Sequence, residues 1–339
     1  MEGGAQARRR AGRAGLALFA ALLAVALAPV PGAAQTGRDL AETPVDARPW
    51  AVDARLRNTF RSHTSFEFGH PLVPGHTPLS RLEFPLNAMW AGIGARGGTS
   101  RFSVGMEVLR SVTGEASGMM KDSDWDDLEN RELLTIYSES HCRLEPSYLV
   151  TGEVDLRVGD WLGLPPRFDL RPVAGIRWQR FVCIAHDGLQ VYPASGGALA
   201  PLDLSGHTLR FEQVYWHHFL GLKVSWDMGR LWVIPRLVWR IQGDWALVEG
   251  VNEDWHMLRL GRRITQERTR GDAWHALAGV KMGLTRNLHV CVEADYLRIL
   301  TTGSHRLFNP LFDLDYSFEY GVKVWSEQMG LTMSLEWTF

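Results

Sequence analysis

Met329-Gly330-Leu331-Thr332-Met333-Ser334-Leu335-Glu336-Trp337-Thr338-Phe339 alternates without a break. Met329, Leu331, Met333, Leu335, Trp337 and Phe339 share one parity; Gly330, Thr332, Ser334, Glu336 and Thr338 share the other. Side chains of a β-strand point to opposite faces in turn, so this stretch has one apolar and one polar face. In a soluble sandwich the apolar face would line a core. In a barrel that crosses a bilayer it meets lipid, and the polar face turns to the lumen. A strand ending on Phe339 fits the second arrangement, since outer-membrane barrels commonly close this way.

The pattern recurs upstream. Val150, Gly152, Val154, Leu156 and Val158 alternate with Thr151, Glu153, Asp155 and Arg157, and Leu288 to Tyr296 and Phe102 to Val108 behave likewise. About ten strands are expected, starting near residues 54, 79, 101, 145, 168, 206, 231, 263, 288 and 320. Their connections alternate between short turns, such as 227–230 and 285–287, and long loops at 68–78, 114–144, 186–205, 243–262 and 301–317. That is the plan of an all-β, ten-stranded antiparallel transmembrane barrel with five long extracellular loops. Its location is then the outer membrane, with any site in those loops facing outside.

At the other end, Arg8, Arg9, Arg10 and Arg13 precede the apolar run Leu16 to Val30, and Gly32, Ala33 and Ala34 follow. This order predicts a signal peptide over residues 1–34 and a barrel domain over 35–339. The competing reading, a membrane anchor, is disfavoured because a spanning helix needs about 20 apolar residues. Fourteen Trp suit aromatic girdles at two membrane interfaces, and a net charge of −2 gives no reason to expect nucleic acid. Cys142, Cys183 and Cys291 are widely spaced, so one bridge or three buried thiols are both open.

Two acidic motifs fall in expected outer loops: Asp122-Ser123-Asp124-Trp125 and Asp254-Trp255-His256. In extended chain, residues i and i+2 share a side, so each motif presents a pair of polar groups. A carboxylate beside an imidazole orients it as a general base. Two adjacent carboxylates resist full ionisation, so one can keep a proton or position a water. Unbroken parity from Phe102 would turn Asp122 and Asp124 outward; a bulge near Gly114 and Gly118 must reset it, or the loop stands above the membrane.

With these motifs the chain resembles the omptin family of outer-membrane endopeptidases, which are ten-stranded barrels. Asp122-Ser123-Asp124-Trp125 resembles the family's D-x-D-W motif and Asp254-Trp255-His256 its D-x-H motif. Gly261-Arg262-Arg263-Ile264-Thr265 and Ser80-Arg81-Leu82-Glu83-Phe84 are similar to stretches of known members. The resemblance implies catalysis by Asp122 with Asp124 and Asp254 with His256 on one water, without a metal or other cofactor. It implies peptide or protein substrates with basic residues, held through Glu67, and a barrel acting as a monomer. Glu67 is also readable as a charge paired to a nearby Arg. Asn252 stands where the family has a second substrate-binding acid, which leaves the preference for paired basic residues open. The resemblance further implies lipopolysaccharide as partner and requirement for activity, met by Arg180 on the outer wall; Trp178 and Val214 replace other contacts there, and Arg180 also reads as a snorkelling interface residue.

Other functions stay open. Ser140 and His141 would suit a serine-type barrel lipase or lipid A deacylase, but adjacent residues of an extended segment point apart. The same Asp and His side chains are legitimate ligands for divalent metals. A non-enzymatic adhesin is the third alternative.

Overall fold

The computed structural model describes residues 50–232, 234–259, 261 and 263–339. The expected signal peptide, residues 1–34, lies outside the described residues. The described chain is built from strands: β1 (Trp50–Phe68), β2 (Ser80–Pro85), β3 (Met89–Gly98), β4 (Phe102–Ser111), β5 (Glu115–Asp124), β6 (Ile136–Leu144) and β7 (Tyr148–Leu156). They continue as β8 (Phe168–Val191), β9 (Leu202–Leu231), β10 (Ile234–His256), β11 (Ile264–Gly283), β12 (Leu288–Asn309), β13 (Leu314–Phe318) and β14 (Lys323–Thr338). All pairings are antiparallel, and β14 pairs with both β12 and β1, which closes the sheet into a barrel.

The structure has fourteen strand elements where ten were expected. Short breaks between β2 and β3, β4 and β5, β6 and β7, and β13 and β14 account for the difference. In each case both pieces face the same neighbours: β2 and β3 both pair with β1, and β6 and β7 both pair with β8.

The expected polarity holds. Along β14, Ser326, Gln328, Thr332, Ser334, Glu336 and Thr338 are buried inside, while Leu331 and Trp337 are exposed outside. Ile93, Met106, Leu220, Ile241 and Trp274 are likewise exposed, so the outer wall is apolar. Inside, buried charges are paired, as their desolvation requires. Arg57 meets Asp295 at 2.8 Å, and Arg171 meets Asp155 at 2.9 Å and Asp169 at 2.7 Å. Around them a cavity of about 180 Å³ is lined by Arg55, Arg177, Lys223 and Glu293. Higher up, Gln179 and Gln328 exchange amide hydrogen bonds of 3.2 and 3.1 Å across the lumen. Above them Phe84 stacks on Phe211 at 4.0 Å, and Phe66 on Phe211 at 5.7 Å. Aromatic pairs of this kind add about 1 kcal/mol each beyond their burial. They form an apolar floor under the barrel mouth.

The long loops are a correction. Most of 114–144 is β5 and β6, and β8, β10 and β12 run to Val191, His256 and Asn309. Crossing the bilayer takes only about 10 residues of tilted strand. The rest of each strand continues above the apolar belt, where the outer face turns polar and the inner face mixes apolar with polar residues, so the alternation of the belt no longer marks the strand.

Two irregularities interrupt the strand register. In β1 the register with β14 shifts between Phe60 and His63, where Arg61 has φ 49°. In β5 the register with β6 shifts between Glu115 and Met119, around Gly118 at φ 124°. The β1 shift inserts one residue and so exchanges the faces above it, whereas the β5 shift inserts two and leaves Ala116 and Met120 on the same inner face. Cys142, Cys183 and Cys291 are buried free thiols.

Candidate active site

Asp122 and Asp124 end β5, and Asp254 and His256 end β10, on opposite sides of the barrel mouth. Asp122 is twenty residues beyond the start of β4 and His256 twenty-two beyond the start of β10. At roughly 2.5 Å of height per tilted residue, both stand about twice as high as a 25 Å apolar band. The site is therefore outside the membrane-spanning segments.

The break between β4 and β5 gives the required reset: Leu109 and Ser111 are buried inside before it, Ala116 and Met120 after it. Met120 points into the core and Lys121 outward, so Asp122 and Asp124 face the mouth. Direct cross-strand pairing of Asp122 with Leu82, itself buried inside, agrees. Asp124 is fixed through its backbone carbonyl, which accepts from the Thr135 hydroxyl at 2.8 Å.

Across the mouth, Asp254 pairs directly with Phe211 of the floor and with Thr265 of β11. The Thr265 hydroxyl donates to Asp254 Oδ1, and Asp254 Oδ2 lies 3.4 Å from His256 Nε2. Arg263 points its guanidinium at His256 Nε2, 2.9 Å away. A guanidinium only donates, so this ring nitrogen accepts.

The electrostatics join the two halves. Burial pushes the Asp122 carboxyl up to about 8, the charge of Asp124 adds to this, and Arg259 opposes it; Asp254 and Arg263 act on it more weakly. Asp122 Oδ1 is buried and has no hydrogen-bond partner among the described residues. Burial also lowers the His256 pKa; Asp254 pulls it back up, while Arg263 and Arg259 depress it further. Near neutral pH the site thus holds a protonated carboxyl facing an uncharged imidazole. Arg263 and Thr265 were not singled out from the sequence as site members. Their only signal was membership of the Gly261–Thr265 stretch.

The remaining candidates are not in the mouth. Above the bulge in β1, Phe66 and Phe68 point inward and Glu67 points out. Glu67 receives two hydrogen bonds from Arg81, at 2.9 and 2.7 Å. Arg81 lies 5.5 Å from the rings of both Trp125 and Trp325. The expectation that Glu67 holds a substrate side chain is therefore corrected: it forms an ion pair on the outer wall. Glu67→Gln should leave cleavage specificity unchanged in a peptide library; a relaxed demand for basic residues would contradict this placement.

Asn252 is buried inside, one step below Asp254, and accepts from Gln213 at 3.0 Å. Arg180 is on the outer wall and donates to Glu212 at 2.7 Å, while Arg210 meets the same carboxylate at 2.8 Å. Ser140 is buried and His141 exposed on opposite faces of β6, so they form no nucleophile–base pair. Among the described residues, no group of three or more His, Cys, Asp or Glu side chains is arranged to hold a metal ion.

A model of the Omptin family matches residues 96–304. Among solved structures, the outer-membrane protease OmpT of Escherichia coli superposes with a TM-score of 0.72 at 19% identity, covering 90% of this chain and 100% of that one. The translocator domain of the autotransporter NalP from Neisseria meningitidis reaches a TM-score of 0.34 at 8% identity, covering 86% and 90%. No curated protein sequence matches the chain. The OmpT superposition concerns the fold; the family match extends over both acidic motifs.

Proposed function

Since the chain belongs to the omptin family, we propose that it is an outer-membrane endopeptidase whose site faces the cell exterior and cuts next to basic residues. The observation that carries this reading is that Asp122, beside Asp124, feels the charge of Asp254, the carboxylate next to His256, over one apolar floor.

In this mechanism a water between the two pairs attacks the scissile carbonyl carbon. His256 takes the proton the water loses, and Asp254 steadies the imidazolium that forms. Asp124 accepts from the same water and aims it. The protonated Asp122 donates to the carbonyl oxygen as negative charge develops there. When the C–N bond breaks, His256 returns its proton to the leaving amine. Substrate must displace the Arg263 guanidinium from His256 Nε2, since that lone pair is the base.

The preference for basic residues is supported by Arg263 itself. A guanidinium of the chain's own loop lies among Asp122, Asp124 and Asp254, the position a substrate Arg or Lys would contest. Lipopolysaccharide belongs to the proposal as an activating partner near Arg180, in competition with Glu212 for that guanidinium.

The test is cleavage of an internally quenched peptide containing Arg-Arg by barrel refolded with lipopolysaccharide. Cleavage should survive a chelator and a serine-directed fluorophosphonate; loss to either favours the metal or serine alternative. The pH profile follows from the site. His256 must be uncharged, so activity falls on the acid side, below the ordinary imidazole value of about 6.5. Asp122 must be protonated, so activity falls again as pH rises through about 8. A kcat/KM that stays flat from pH 7 to about 10 would reject the role of Asp122.

A further inference from the structure

The D-x-H motif at the end of β10 is met rung for rung by β11. The His256 backbone N–H donates to the Arg263 carbonyl at 2.9 Å, and the Arg263 guanidinium lies 2.9 Å from His256 Nε2. Two residues further along the same face, Thr265 lies directly opposite Asp254, and its hydroxyl donates to Asp254 Oδ1. Thr265 and Asp254 are each 1% exposed, so bulk water is kept from both.

The cross-strand neighbours turn these two groups toward each other. On its other side Thr265 faces Leu307 of β12, whose side chain carries no acceptor. On its other side Asp254 faces Phe211 of β9, fully buried and without a donor. The β-branched Thr side chain is stiff about χ1, so its hydroxyl is aimed at little entropic cost.

An Asp carboxylate is loosely held by its own bonds, because χ2 is a broad, roughly two-fold torsion. Asp254 Oδ2 reaches His256 Nε2 at 3.4 Å, longer than a strong hydrogen bond, so that contact alone holds the carboxylate weakly. Fixing Oδ1 fixes Oδ2 as well. We propose that Thr265 is a positioning residue: its hydroxyl locks the rotation of the Asp254 carboxylate, and through Oδ2 the aim of the His256 ring at the water. Without the hydroxyl, a buried carboxylate oxygen loses its donor and the imidazole is free to tilt from its productive orientation.

This role for Thr265 rests on the protease reading, and one experiment separates the two. Wild type, Thr265→Val, Thr265→Ser, Asp254→Ala and the double variant Thr265→Val/Asp254→Ala are refolded with lipopolysaccharide and compared on the Arg-Arg quenched peptide. Wild type that does not cleave overturns the reading, and the role with it. Where wild type cleaves, Thr265→Val keeps the shape and drops the hydroxyl, so kcat should fall about tenfold with KM unchanged. Thr265→Ser keeps the donor and should stay within about threefold of wild type. Added to Asp254→Ala, Thr265→Val should cost nothing further, since the group it holds is gone. The role alone is overturned by a Thr265→Val kcat equal to that of wild type, or by a loss carried in KM. It is also overturned by a Thr265→Ser variant as impaired as Thr265→Val, or by a second loss of the same size in the double variant. A merely structural Thr265 would give these last two results. Unchanged heat-modifiable mobility of each refolded barrel shows that the variants are folded; should Thr265→Val fail that check, Thr265→Ala carries the same comparison.

Discussion

His256→Ala should lower kcat/KM by about 10³-fold with little change in KM, because the variant loses a positioned general base acting in the transition state. The refolded variant and wild type would be compared on the Arg-Arg quenched peptide. Asp254→Ala should cost a similar factor, since His256 would keep the Arg263 contact and lose its carboxylate. The two losses should not multiply: residues that act as one unit are strongly non-additive. A double variant no worse than either single one is the expected result. Wild-type cleavage by His256→Ala would end the assignment of this residue as the base.

Asp122→Ala should lower kcat by about 10²- to 10³-fold, the usual cost of losing one donor to a developing oxyanion. Asp122→Asn discriminates further. Its amide donates at every pH, so it should retain more activity than Ala and lose the alkaline limb near 8 that the buried carboxyl produces. The sign follows from the raised pKa: the proton is held at neutral pH and lost as pH rises through that value. If Asp122→Asn keeps the alkaline limb, the limb belongs to another group and Asp122 is not the donor.

The barrel was legible because lipid and lumen demand opposite polarity from neighbouring residues, and β14 records that demand at every position from Met329 onward. The identity of the four central side chains was legible as well, through spacing and resemblance. What the sequence hid was register. Arg61 carries no mark of the bulge it makes; a non-glycine residue at φ 49° is uncommon, and the chain offers Gly or Asn nowhere beside it. Unbroken parity from Arg55 would turn Glu67 inward, and the structure turns it out. The break between β4 and β5 did carry a mark in Gly114, and the reset it implied for Asp122 is present. Above the belt the outer face turns polar and the inner face is mixed, which erased the alternation, so β5, β6 and the upper ends of β8, β10 and β12 read as loops. Arg263 and Thr265 were invisible for another reason. Their positions depend on cross-strand partners that no local pattern encodes.

The bulge in β1 also bears on how such a barrel can diversify. Below Phe60, strand faces are held by lipid on one side and the ion network on the other, and few exchanges are tolerated. Above His63, the same strand answers only to its own register shift. Gaining or losing one residue at that shift would swap the entire upper face of β1, bringing Glu67 into the mouth and sending Phe66 and Phe68 out, while leaving the embedded half as it is. Short insertions and deletions at such hinges, more than point substitutions, are then the natural route by which related barrels acquire new selectivity.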